Sequence, residues 1–340
     1  SFPLLFKYTY LLVDKLGKTI PFRELALLTA SIQLLVASFS AFYILTPDAA
    51  FLPVGTPRNY FSYMTPAILA FEFGLAWFRP KLSIKQIINK IDKDYLLNYI
   101  KYTYLTGVFF WFLARYLPFL GYSATLLSFF WVTGAIMILF TSFKYKYVLS
   151  AIGLSSIIFD SISDGVFFMA LIWGVFYFMY LAIYLSVSKK TLYIYFFIGI
   201  FFVLVLDSAK SAYRNIAWTN DIAFYDKMNT LVNLMLDFSD TDKIFTEENF
   251  SGRVTRANQG AIVTWIMAHT PNYEPYANGY TIYRAIEGIL LPRFLAPNKI
   301  EAGGKENYEK FTGRILRGTS INISLPGEGY ANFGPLGGVI

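Results

Sequence analysis

Apolar runs long enough to cross a bilayer follow one another from the N-terminus to about Asp207, and there the rhythm stops. A hydrocarbon core of about 30 Å needs about 20 mostly apolar residues per helix. A polar stretch rich in Arg and Tyr comes next, before a final apolar run begins near Ile321. This layout predicts an all-α polytopic membrane protein with one large, mostly helical extramembrane loop late in the chain. Any chemistry the chain performs is expected where polar groups gather, in that loop.

Composition narrows the chemistry. The chain is 56% apolar and only 15% charged, against about 25% charged in ordinary soluble domains. It has no cysteine, which excludes disulfides, thiolate metal sites and sortase-like transpeptidation. Its one histidine, His269, excludes a multi-histidine metal site within this chain. The formal charge of +7 does not point to nucleic acid. The basic excess lies in short loops between apolar runs, where it sets topology.

Spans are expected at about 25–45, 63–78, 104–117, 125–140, 148–159, 166–185 and 192–206, with a last one starting near Ile321. Lys15, Lys18 and Arg23 precede the first span. Lys81 to Lys101 lie between the second and third, Lys144 and Lys146 after the fourth, and Lys189 and Lys190 after the sixth. The positive-inside rule assigns these loops to the cytoplasm and the large loop to the outer side. The expected organisation is a transmembrane bundle over 1–206, an extracytoplasmic loop over 207–319, and the start of a further span over 320–340. The Lys81–Lys101 stretch reads as a cytoplasmic amphipathic helix. The chain starts at Ser1 and ends inside an apolar run, so it is expected to be part of a longer protein.

Ionisable groups within spans are functional candidates by default. Glu72 lies inside the second span, Arg115 near the outer end of the third, and Asp160 and Asp164 at an outer boundary. Two readings of Arg115 stand side by side, a structural Arg–Asp pair and a ligand for a lipid-linked diphosphate. Lys210 and Arg214 share a helical face just beyond a span. They serve either as interfacial anchors or as anion ligands.

Within the loop, Arg253, Arg256 and Gly260 fall on one helical face, where the two guanidiniums either hold an anion beside the small residue or pair with the loop's many carboxylates. His269 closes a helix that Pro271 stops. Arg314 and Arg317 add two cations to the substrate-binding set. Glu328, Tyr330 and Asn332 then crowd the start of the last apolar run, among glycines that allow close packing; Glu328 reads either as a site residue or as a helix N-terminal charge complementing the macrodipole.

Pro292-Arg293 with Pro297-Asn298-Lys299, followed by Glu328-Gly-Tyr330-Ala-Asn332-Phe333-Gly334, resembles the oligosaccharide repeat-unit (O-antigen, Wzy-type) polymerases. That family is related to the O-antigen ligases. The resemblance covers the segment from Pro292 onward; the rest is similar only in layout. It implies a GT-C-like membrane glycosyltransferase in polysaccharide and lipopolysaccharide biosynthesis, with no nucleotide-sugar donor. No cofactor is expected, and several arginines with no cation cage fit a metal-independent reaction. Such enzymes join glycan repeat units carried on undecaprenyl diphosphate at the outer face of the bacterial inner membrane, with the large loop periplasmic. It also implies roles for Arg293, Lys299, Glu328, Tyr330 and Asn332. Arg253, Arg256 and His269 match a looser pattern seen in the ligases.

Glycosyl transfer from a lipid diphosphate needs fixed cations for the leaving group and a base for the acceptor hydroxyl. Glu328 is the first choice of base and His269 the second. Expected partners are the lipid-linked glycan, membrane lipids, and a chain-length regulator or other envelope-assembly protein. An O-antigen-ligase-like transferase differs only in acceptor. From other classes, the alternatives are a polysaccharide transporter or flippase, which should show broken helices and polar groups at the midplane, and a non-catalytic envelope scaffold.

Overall fold

The computed structural model describes residues 2–77, 86–87, 90–117, 121–220, 222–238, 244, 246–290, 298, 304–317 and 321–339. Every regular element among them is helical. Four helices combine the length and apolarity needed to cross a membrane: Phe22–Ile44, Lys146–Asp164, Phe168–Leu185 and Lys189–Thr219. The chain divides into two compact units that are not contiguous in sequence. One holds Ser1–Leu11, Phe22–Arg79 and Glu247–Ile340; the other holds Leu12–Pro21 and Pro80–Thr246.

The first unit contains the start of α1 (Phe2–Lys15), then α2 (Phe22–Ile44) and α3 (Pro57–Trp77). It also contains α4 (Glu247–Ala257), α5 (Gly260–His269), α6 (Tyr280–Leu290), α7 (Lys305–Thr312) and α8 (Leu325–Gly337). Its centre is α5, whose residues from Gly260 to Ile266 are all buried. A helix apolar on every side is a core element. The segment 45–56 wraps it. Asn258 donates to Phe51 O at 3.1 Å, Trp265 Nε1 to Leu52 O at 2.9 Å, and Val54 N to Thr264 Oγ1 at 3.0 Å.

In the second unit, α9 (Lys93–Tyr116) and α10 (Gly121–Met137) are in closest contact. A Cβ on Gly107 would lie 1.8 Å from Trp131 N, so only glycine permits this crossing. The unit continues through α11 (Lys146–Asp164), α12 (Phe168–Leu185), α13 (Lys189–Thr219) and α14 (Phe224–Asp237). In the same unit, Asp14 pairs with Lys189 and with Lys18. The Lys189 hydrogen bond is the main influence holding the Asp14 carboxyl below its usual range.

Several expected boundaries move. The helix expected to stop near Asp207 runs on to Thr219, an α13 of 31 residues, or about 46 Å at 1.5 Å per residue. The stretch read as one outer loop over 207–319 is shared between the units: 207–246 belongs to the second, and from Glu247 the chain belongs to the first. Of the amphipathic stretch 81–101, residues 81–85 and 88–89 lie outside the described residues, and Lys93 onward is the start of α9, capped by Asp92. The run near Ile321 does not continue as a straight span. Within α8, Gly334 adopts φ 70° and ψ −166°, open to glycine alone, and Gly338 folds back onto Gly329. The expected spans at 63–78 and 104–117 form helices, α3 and α9, but these carry too many polar residues to rank with the four apolar ones.

Candidate functional site

The site begins with an irregularity in α2. From Ile32 to Val36 the helix is a π-helix, and Ala37 N–H reaches back to Ile32 O. Such an insertion frees backbone carbonyls, which an apolar surrounding obliges the protein to satisfy. Tyr60 from α3 donates to Leu34 O at 2.7 Å, and Ser38 Oγ to Gln33 O at 3.4 Å; the two hydroxyls stand 3.2 Å apart. Gly260 at the head of α5 closes over them, for a Cβ there would lie 2.0 Å from Ser38 Oγ and 2.2 Å from Tyr60 Oη. Packing at this point therefore ties α2, α3 and α5 together.

Beside the π segment opens a cleft of about 540 Å³. Its polar lining is Gln33 from α2, Gln259 just before α5, Asn322 and Ser324 ahead of α8, and Glu328 in the first turn of α8. Leu34, Ile321 and Leu325 complete it. Among the described residues, the Glu328 carboxylate has no hydrogen-bond or ion-pair partner, nor do the three carboxamides. Ser324 sits at φ 62° and ψ 160°, and its Oγ is buried without a hydrogen-bond partner. A strained non-glycine residue next to an uncommitted carboxylate is the kind of feature that collects at functional sites. Gln33 lies about 16 Å along α2 from Phe22, at 1.5 Å per residue, near the middle of this apolar helix.

Two other clefts open in the same unit. An apolar one of about 810 Å³ runs between α2 and α3 and shares Gln33, Leu34, Ser324 and Leu325 with the first. Another, of about 790 Å³, is lined by Thr264, Met267, Tyr63 and Tyr330. Tyr330 packs edge-on against Tyr63 at 5.2 Å.

The residues anticipated from sequence therefore separate. Glu328 lines the polar cleft and Tyr330 a different one. Asn332 lies in the interior and cannot meet a substrate: it is 0% exposed, donates to Thr281 Oγ1 at 2.7 Å and Glu328 O at 2.8 Å, and accepts from Gly279 N at 2.9 Å. His269 stacks on Tyr273 at 5.3 Å and lies against Gly313. The next residue, Arg314, lies over the Trp265 ring at 4.0 Å. Tyr308, raised by burial above the ordinary tyrosine range, feels the same guanidinium, which pulls it the other way. Arg253 and Arg256 stand on α4, both engaged with other groups, and Arg317 is exposed. None of these arginines lines the Glu328 cleft, so the convergence of guanidiniums on the carboxylate is not found among the described residues. Arg293 and Lys299 lie outside them.

Arg115 and Arg214 belong to the second unit and are tied down there. Arg115 pairs with Asp160 at 2.6 Å, over the Trp111 ring at 4.5 Å, and Trp111 Nε1 donates to the same carboxylate. Arg214 Nε donates to Gly165 O at 2.7 Å, with Trp218 on Asp164 O and Lys227 on Ser163 O. These three cap the C-terminal carbonyls of α11, where positive charge is favoured. Lys210 pairs with Asp207 at 2.6 Å. Glu72 is likewise committed, to Lys7 and Tyr8 at 2.8 Å and to Arg23 at 3.5 Å.

No signal in the sequence isolates Gln33 or Asn322. Gln259 stood inside the arginine-rich segment without a role of its own. Comparison with protein-family models, with curated proteins and with solved structures finds no match for this chain.

Proposed function

We propose that the chain is a membrane-embedded glycosyltransferase that polymerises undecaprenyl-diphosphate-linked oligosaccharide repeat units at the outer face of the bacterial inner membrane. One observation carries the reading: Glu328, a carboxylate uncommitted among the described residues, shares an open cleft with three carboxamides that are likewise uncommitted among them. Carboxamides pair well with sugar hydroxyls, since each offers two donors and an acceptor. A carboxylate among them is suited to take the proton of an attacking hydroxyl. The cleft's volume falls within the range of about 300–1,000 Å³ usual for small-ligand sites. The leaving diphosphate is the task of cations outside the cleft. Arg253 and Arg256 are the first candidates, because α4 leads directly into Gln259.

A second reading, a glycan-lipid transporter, gains from a specific observation. The π segment of α2, the break at Gly334 and a polar cleft half-way along an apolar helix are features of transporters. Deleting the gene and analysing the lipid carrier separates the readings. Single repeat units accumulating on the carrier at the outer face are the expected result. Repeat units trapped at the cytoplasmic face favour transport, finished but unattached polymer favours a ligase, and an unchanged glycan sinks all three.

A further inference from the structure

The polar cleft discriminates by charge. Its lining carries one carboxylate, three carboxamides and a serine, and no described lysine or arginine. A diphosphate entering it would meet the Glu328 carboxylate with no described cation in the lining to offset the repulsion. A neutral ring with several hydroxyls would instead satisfy Gln33, Gln259 and Asn322 together. Leu34, Ile321 and Leu325 supply the apolar surface that the C–H face of a sugar ring can cover.

We infer that this cleft is the acceptor subsite: it takes an uncharged saccharide and rejects the lipid diphosphate. Calling it the acceptor subsite rests on the transferase reading; the preference for a neutral saccharide does not. In the reaction, Glu328 takes the proton of the acceptor hydroxyl as its oxygen bonds to the donor's anomeric carbon. The bond from that carbon to the diphosphate oxygen breaks, and its electron pair leaves with the diphosphate. Gln33, Gln259 and Asn322 hold the ring so that one hydroxyl faces the carboxylate. They are binding groups that set which sugar is accepted.

The test uses the full-length protein in lipid nanodiscs and two probes. One is the phosphate-free repeat-unit oligosaccharide released from the carrier by mild acid; the other is undecaprenyl diphosphate. Asn322→Ala is the safest variant, because Asn322 is exposed; Gln259→Ala is the second. Each should weaken the oligosaccharide about tenfold, the equivalent of one or two net hydrogen bonds, and leave undecaprenyl diphosphate binding unchanged. Glu328→Gln should bind the oligosaccharide nearly as well as the wild type. The inference is overturned if both variants weaken undecaprenyl diphosphate and spare the oligosaccharide, or if the wild type fails to bind the oligosaccharide. Loss of oligosaccharide binding in the variants of a protein that forms no polymer would overturn the transferase reading alone.

Discussion

At the scale of residues, the polar groups divide into those that hold the fold and those left for a ligand. Asn332 and Glu72 belong to the first kind. Asn332→Ala removes both donors and the acceptor and leaves the buried Thr281 hydroxyl and the part-buried Gly279 N–H without this partner. It should cost about 2–3 kcal/mol, read as a lower unfolding midpoint in detergent, with saccharide affinity of the folded fraction unchanged. A stable variant that no longer binds saccharide would put Asn332 in contact with substrate. Glu72→Gln should likewise destabilise by about 1–3 kcal/mol, because Lys7 and Arg23 lose the charge they share. Glu328 was legible in the sequence as a lone acid among polar residues ahead of an apolar run. The role of Asn332 was not, because a motif shows which residues recur together and not which way each points. Gln33 was invisible for another reason: one glutamine in an apolar run reads as a tolerated polar residue, and only the folded chain shows that it lines the same cleft as Glu328.

At the scale of elements, length and apolarity made the long helices readable. The runs around 25–45, 166–185 and 192–206 reappear as α2, α12 and α13, although α13 extends well past the expected end. α5 was legible as a helix that Pro271 stops, but its place at the core was not: a ten-residue helix is too short to span a bilayer, and its burial depends on contacts with Phe51, Leu52 and Val54 far away in sequence. The π segment has no sequence signature at all. Deleting Ile32 should restore regular α-helical bonding and rotate the preceding turn by about 100° relative to the rest of α2. The protein should still insert into the membrane, but bound saccharide should fall below detection; unchanged binding would make the π segment incidental to the cleft. Gly260→Ala tests the neighbouring packing. Its methyl group would overlap Ser38 and Tyr60, at a cost of about 1–3 kcal/mol, seen as a lower unfolding midpoint.

At the scale of the whole molecule, the sequence suggested a bundle followed by a loop, whereas the structure builds two units from interleaved segments. Contiguity in sequence misled because the apolar helices α2 and α3 find their core partner, α5, about two hundred residues later. The absence of native cysteine allows a direct check of topology. In sealed cells, Asp48→Cys in the segment wrapping α5 should react with a membrane-impermeant maleimide, while Lys18→Cys should react only after permeabilisation. The reverse pattern would invert the assigned orientation. The central claim, that Glu328 takes the acceptor proton in a membrane-embedded sugar transfer, is tested most directly by reconstituted turnover of undecaprenyl-diphosphate-linked repeat units. The wild type should extend them, and Glu328→Gln, with intact fold and intact oligosaccharide binding, should be slower by at least about a hundredfold. Polymer formed at the wild-type rate by Glu328→Gln would contradict the account.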